Sequence, residues 1–317
     1  MKVLLTGGAG FIGSHLAERL LREGHSIGIV DELNDYYAPR LKEENLRTIR
    51  ATGDFDFHQA DVADADRMDQ ITASFRPDAI VHLAARAGVR PSLEQPLLYE
   101  RANILGTMTL LEASRRHGVK KFVFASSSSI YGVANQVPFR EDDTANYPIS
   151  PYAATKLAGE KICYTYSYLY GISIVCLRFF TVFGPRQRPD LAIRKFVERI
   201  DRGDPIPVYG DGSSGRDYTF VADTVDGIVR ALHHETKYDI FNLGNSSPVT
   251  LNEMIAAIED AVGKKAVIDR QPDQPGDVPI TFADIGKARR MLGYSPSTPF
   301  AEGVVRFVAW WRAAKFG

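Results

Sequence analysis

Cys163 and Cys176 are the only cysteines among 317 residues, too few for a disulfide framework, so a reducing, cytoplasmic setting is the expectation. Long apolar runs are missing: nothing approaches the roughly twenty residues that a membrane-spanning helix needs. The Val3-Leu4-Leu5-Thr6 run after Met1-Lys2 is also too short for a signal peptide. A surplus of positive charge is missing too. The 38 Lys and Arg meet 39 Asp and Glu with no long basic stretch, so no nucleic-acid partner is expected. The seven histidines show no ligand-like spacing with cysteines or carboxylates, and no metal is expected. What remains is an ordinary composition, 44% hydrophobic and 24% charged, in a chain long enough for one large α/β domain or two sharing an interface.

Val3 to Thr6 reads as a buried strand, followed by Gly7-Gly8-Ala9-Gly10-Phe11-Ile12-Gly13 and a helix with Ile12, Leu16 and Leu20 on one face. Glycines 8, 10 and 13 fit the G-x-G-x-x-G dinucleotide fingerprint, and glycines 7, 10 and 13 fit a G-x-x-G-x-x-G variant. Either way the loop offers a tight turn, close backbone approach to a pyrophosphate, and a helix N-terminus aimed at its charge. A second strand from Ser26 to Val30 ends in Asp31, with Asn34 just beyond. An acid there accepts hydrogen bonds from ribose hydroxyls and repels a 2′-phosphate, which favours NAD over NADP.

Strand and helix signals then alternate. Phe55 to Gln59 leads to Asp61-Val62, placed to meet an adenine edge, and Ala79 to Leu83 leads to Ala84-Ala85, small enough for a cofactor to pass. A long helix from Pro96 to His117 carries Asn103. Lys121 to Ala125 leads into Ser126-Ser127-Ser128-Ser129, and Ile172 to Phe179 forms a sixth strand. The alternation implies an α/β fold with a doubly wound parallel sheet, in which ligands bind beyond the carboxyl ends of the strands. After Phe180 come loops rich in Pro, Gly and charge, with helices at 192–202, 223–234, 251–262, 285–292 and 300–314. We expect a cofactor domain over residues 1–178, a smaller C-terminal α/β substrate lobe over 179–317, and a return to the sheet at about 217–244. Thr250 and Glu253 make a capping box.

Ser150 suits an N-cap and Pro151 the first helical position, which sets Tyr152 and Lys156 four apart on one helix face. A phenol titrates near pH 10, but an ammonium one turn away favours the phenolate, as does a cationic nicotinamide. Such a pair can take a proton from a hydroxyl as a hydride leaves the same carbon.

The glycine loop, Asp31, the strand-end serines and Tyr152-x-x-x-Lys156 together resemble the extended short-chain dehydrogenase/reductases, in particular the nucleotide-sugar epimerases, over essentially the whole chain. The resemblance implies a Rossmann fold and a tightly held, recycled NAD. It implies Tyr152 as base, Lys156 lowering its pKa and holding the nicotinamide ribose, and Ser127 on the sugar hydroxyl. Nucleotide-sugar 4,6-dehydratases of this group carry an Asp-Glu pair at the positions of Ser128 and Ser129, and UDP-glucuronate decarboxylases carry Glu at that of Ser129. Two serines favour simple 4-epimerisation.

Arg178-Phe179-Phe180-Thr181, the Gly184–Asp190 segment and Ala87-Gly88-Val89-Arg90 look like those of the UDP-glucuronate 4-epimerases. On that resemblance a UDP-sugar is the substrate, with Arg90, Ser128, Ser129, Thr181 and Arg188 at the sugar and its carboxylate. Val208, Tyr209, Arg216 and Asp277 would meet the nucleotide, although Gln274 replaces a common Arg. A homodimer through the 96–117 and 152–170 helices is also implied. UDP-glucose/UDP-galactose 4-epimerase is the alternative, with a decarboxylase or a non-catalytic NAD-binding regulator behind it.

Overall fold

In a computed structural model the described residues are 1–132, 136–143, 147–272 and 280–314. The chain begins with β1 (Lys2–Thr6), α1 (Phe11–Arg22), β2 (Ser26–Asp31), α2 (Pro39–Thr52), β3 (Asp56–Gln59), α3 (Ala65–Phe75) and β4 (Ala79–His82). Short helices α4 (Val89–Glu94) and α5 (Pro96–Tyr99) precede α6 (Gly106–His117), β5 (Lys121–Ser127), α7 (Pro151–Tyr170) and β6 (Ser173–Phe179). The second half holds β7 (Thr181–Phe183), α8 (Ala192–Arg202), β8 (Pro205–Tyr209), β9 (Gly215–Phe220), α9 (Val221–His233) and β10 (Tyr238–Leu243). It closes with β11 (Pro248–Thr250), α10 (Leu251–Val262), β12 (Val267–Gln271), β13 (Ile280–Thr281), α11 (Gly286–Leu292) and α12 (Phe300–Ala313).

Seven parallel strands form the main sheet in the order β10-β6-β5-β4-β1-β2-β3. The order reverses between β1 and β4, so the crevice that receives ligands opens beyond Thr6 and His82. Successive strand residues point to opposite faces. Val3, Leu5, Ile29, Val81, Val123 and Val175 join the core beneath α1 and α9, while Leu4, Val30, Ile80, Phe122 and Ile174 join the one beneath α3, α6 and α7. That two-sided burial explains why the strands read as continuous apolar runs.

Two local differences from the sequence reading matter for the site. β5 runs on through Ser127, so that hydroxyl belongs to the sheet. The 96–117 helix is not continuous, because a π-helical segment at Glu100–Leu105 separates α5 from α6. The wide turn lets the Asn103 side chain fold inward, donating to Arg86 O at 3.0 Å and Thr155 Oγ1 at 2.9 Å while accepting from Arg86 N at 2.8 Å. Beyond β6 the chain builds a small mixed sheet in which β9 pairs with β7, β11 and β13, and a separate two-stranded sheet of β8 and β12. Between β9 and β11 it returns to the main sheet, β10 lying parallel beside β6. Among the described residues no helix is long and apolar enough to cross a membrane.

Candidate active site

A cavity of about 410 Å³ lies along the carboxyl ends of the main-sheet strands. At one end, Gly7, Gly10, Phe11, Ile12 and Gly13 line it. Gly7 has φ +71°, and a Cβ there would meet the Ala84 backbone nitrogen at 2.7 Å. A Cβ on Gly13 would lie 2.1 Å from the Gly7 carbonyl oxygen. Of the two glycine registers, therefore, 7-10-13 faces the cavity, while Gly8 packs toward Ile29. No side chain caps α1 and no acid occupies its first turn, which leaves backbone N–H groups for an anion.

Asp31 closes β2 with its carboxylate accepting from Ala9 N–H at 3.2 Å and Leu33 N–H at 3.0 Å. Burial raises its pKa, opposed by Lys42 and these two N–H groups. Lys42, which the sequence did not single out, also lines the cavity and donates to the Asn34 carbonyl at 2.9 Å and Asn34 Oδ1 at 2.8 Å. Asp61, Val62, Leu83, Ala84 and Ala85 complete this half. Asp61 is fixed by Ala63 N–H at 2.9 Å and Arg101 at 2.7 Å.

The other half carries the reactive side chains. Ser127 Oγ caps the short turn that follows β5, accepting from Ser129 N–H at 3.2 Å. Ser150 caps α7 through Ala153 N–H at 3.2 Å, as its sequence position implied. Tyr152 and Lys156 both line the cavity with Ser127, Ser128 and Ser129.

Their protonation differs from the simple picture. Burial pushes the Tyr152 phenol above its ordinary value; a hydrogen bond with Ser127 and the Arg188 charge act in the opposite direction. Among the described residues no hydrogen bond joins Lys156 to the phenol. Its ammonium instead donates to Ala125 O at 2.7 Å and lies 5.1 Å from the Phe124 ring centre, beneath the helix against β5. Burial lowers the Lys156 pKa to about 8. One-turn spacing puts the two side chains on one face but does not make them meet.

Thr181 opens β7 and lines the cavity, as does Arg188 from the loop after it. Arg188 is gripped by Asp190 through Nε at 2.9 Å and Nη2 at 2.8 Å, and its guanidinium lies 5.5 Å from the Tyr36 ring centre. Five predicted contacts are placed elsewhere. Arg90 is exposed and outside the cavity wall, and the Asn103 side chain is committed to Arg86 and Thr155. Val208 is fully buried in β8, so its side chain cannot touch a ligand. Tyr209 and Arg216 also lie outside the cavity wall, and Asp277 falls outside the described residues. The sequence reading missed Tyr36, Tyr37, Arg86 and Leu191 in the wall. The Asn34-Asp35-Tyr36-Tyr37 run, which starts three residues past the strand-end acid, was the available signal for the first two.

A family model described as GDP-mannose 4,6 dehydratase matches residues 4–307. The chain belongs to this family. It is 42% identical over 308 residues to a UDP-glucuronate 4-epimerase of Thermodesulfobacterium geofontis, covering 97% of this chain and 95% of the relative. The crystal structure of UDP-glucuronic acid 4-epimerase from Bacillus cereus, in complex with UDP-glucuronic acid and NAD, superposes with a TM-score of 0.92 at 34% identity, covering 99% of this chain and 100% of that one. UDP-glucose 4-epimerase of Thermotoga maritima, solved with UDP-glucose, superposes at 0.91 with 33% identity, covering 99% of each chain. Backbone likeness does not separate these two activities. Side chains in the cavity must.

Proposed function

We propose that the protein is an NAD-dependent UDP-glucuronate 4-epimerase, producing UDP-galacturonate through a 4-keto sugar. The observation that carries this reading is Arg188 lining the same cavity as Tyr152 and Ser127–Ser129. A guanidinium matches a carboxylate in charge and two-point geometry, whereas a neutral hexose offers it only single hydroxyl acceptors.

The residues present suit the cofactor. Gly7, Gly10 and Gly13 leave room for a pyrophosphate where side chains would clash, and Asp31 offers a carboxylate to the adenosine ribose. When bound, NAD supplies a hydride acceptor and a positive charge. Tyr152 takes the proton of the sugar 4-hydroxyl, and Ser127 holds that hydroxyl and the phenol together. Burial raises the Tyr152 pKa, so the phenolate needs the cationic help that Lys156 and a nicotinamide ring would give. Ser128 and Ser129 bring no carboxylate, which removes the acid and base that elimination of water requires.

Thr181 and Arg188 hold the uronate carboxylate near the ring plane. A 4-keto uronate is a β-keto acid, and it loses carbon dioxide when its carboxylate bond aligns with the carbonyl π system. We place the cofactor-binding part at residues 1–178 with the 217–244 segment, and the substrate lobe in the remainder. We further propose a cytoplasmic homodimer. Exposed Leu97 on α5 and Tyr164 and Tyr168 on α7 give it an apolar face, and two buried free thiols fit a reducing compartment.

The test is proton NMR of the purified protein with UDP-glucuronate and, separately, with UDP-glucose. UDP-galacturonate with little pentose nucleotide is the expected product, and Tyr152→Phe should abolish it while leaving NAD bound. Turnover of UDP-glucose alone would overturn the uronate assignment and keep the Tyr152 chemistry.

A further inference from the structure

Arg188 is not a free-swinging cation. Asp190 takes its Nε and Nη2 in a two-point fork, and Pro189 between them stiffens the link. The Tyr36 ring lies beneath the guanidinium at 5.5 Å, within cation–π range. Tyr36 is itself held, because its hydroxyl donates to Ala87 O at 2.6 Å, an oxygen that also accepts from the Tyr99 hydroxyl at 3.0 Å. The loop carrying Arg188 is anchored at both flanks. Arg186 pairs with Glu18 on α1 at 2.7 Å, and Arg194 donates to Gln187 O at 2.6 Å. Among the described residues Arg188 Nη1 has no hydrogen-bond partner, and Arg188 faces the cavity while Asp190 does not.

We propose that Asp190 and Tyr36 are positioning residues for an anionic sugar, fixing Arg188 so that its one unengaged edge meets the uronate carboxylate. The inference rests on the uronate reading above. Its physics is preorganisation. An arginine already locked by a fork and a ring loses less side-chain freedom on taking a carboxylate than a mobile one does. Asp190 also balances the guanidinium charge before substrate arrives, so the cavity wall does not carry an unpaired buried cation. Tyr36 reaches the sugar end from the β2–α2 loop, five residues past the strand-end acid Asp31.

The experiment uses the NAD-loaded protein in a Tyr152→Phe background, so that substrates bind without turning over. Titration calorimetry with UDP-glucuronate, UDP-glucose and UDP is run on Asp190→Ala, Tyr36→Leu and Arg188→Ala. We expect Asp190→Ala and Tyr36→Leu each to weaken UDP-glucuronate by about three- to tenfold, the cost of one unlocked side chain, and to leave UDP and NAD content unchanged. Tyr36→Phe, which keeps the ring, should restore most of the loss that Tyr36→Leu causes. With Tyr152 intact, the two weakened variants should release a larger fraction of pentose nucleotide per turnover. In that side reaction the C5–carboxyl bond breaks, its electron pair enters the enolate of the C4 ketone, carbon dioxide leaves and C5 takes a proton. Unchanged or tighter UDP-glucuronate binding in Asp190→Ala, with Arg188→Ala still weakening it, would overturn the positioning role alone. If Arg188→Ala itself leaves UDP-glucuronate binding unchanged, the uronate reading fails and this inference falls with it.

Discussion

Replacing Lys156 by methionine should make the nucleotide-free protein more stable while abolishing its activity. Lys156 is 4% exposed, and burial lowers its pKa from the ordinary 10.5 to about 8. That difference corresponds to a penalty of roughly 3 kcal/mol whenever the side chain is charged in the fold. Methionine fills a similar volume without charge but leaves Ala125 O without its 2.7 Å donor, a loss of about 1 kcal/mol. The net gain is about 2 kcal/mol at neutral pH, a rise of about 3 °C in melting temperature for a chain of this size.

The pH dependence distinguishes this cause from ordinary repacking. A lysine with a depressed folded pKa destabilises the fold fully below about 8. As pH rises from there toward 10.5, the folded protein binds fewer protons than the unfolded chain, so the wild type regains stability. Calorimetric melting of the wild type and Lys156→Met at about pH 7 and about pH 9.5 should therefore show the variant's advantage shrinking by more than half. A variant less stable than wild type by the same amount at both pH values would refute the reasoning. It would mean that the Ala125 contact, not buried charge, dominates this position.

Three further outcomes follow from the geometry. Gly13→Ala forces a Cβ to within 2.1 Å of the Gly7 carbonyl, so NAD affinity measured by fluorescence titration should fall by about tenfold or more, with UDP affinity retained. Arg178 and Glu160 form a buried pair with contacts at 3.0 and 2.9 Å, so Arg178→Met alone should cost about 3–5 kcal/mol in denaturant melts. The double variant Arg178→Met/Glu160→Leu should recover more than half of that cost, and equal instability of single and double variants would discount the buried-charge explanation. Leu97 is 81% exposed and Tyr168 is 77% exposed. If they form the proposed dimer face, Leu97→Arg with Tyr168→Arg should shift the protein to monomer in sedimentation, and an unchanged mass would remove that interface.

The cofactor half of the site was legible because its information is local. Each strand is a short apolar run that ends in a glycine, an acid or small residues, and these ends meet at one edge of a parallel sheet by topology alone. Gly7, Asp31, Asp61, Ala84 and Ser127 were placed from spacing, and all five line the cavity. The α7 start was equally readable, since Ser150 and Pro151 are capping signals that act within one turn. Spacing could not say where Lys156 would point, because that depends on the Ala125 carbonyl and the Phe124 ring on a neighbouring strand. The same limit applies to Asn103. A helical pattern gives no warning of a π-helical turn that rotates a side chain into the protein.

The substrate half was harder to read for a related reason. Arg188 lies in a loop, Asp190 two residues on, and Tyr36 some 150 residues earlier, and only the fold brings them together. The two solved epimerases compared above differ by 0.01 in TM-score, although one was solved with UDP-glucuronic acid and the other with UDP-glucose. A shared backbone therefore leaves sugar preference to a few side chains that adjust one edge of the cavity. In this chain that edge is an arginine held by an acid and a ring, an arrangement that suits a carboxylate and gives a neutral hydroxymethyl group nothing comparable to bind. If specificity is set this way, it can change through positions 36, 181, 188 and 190 while the glycine loop, Tyr152 and Lys156 stay fixed.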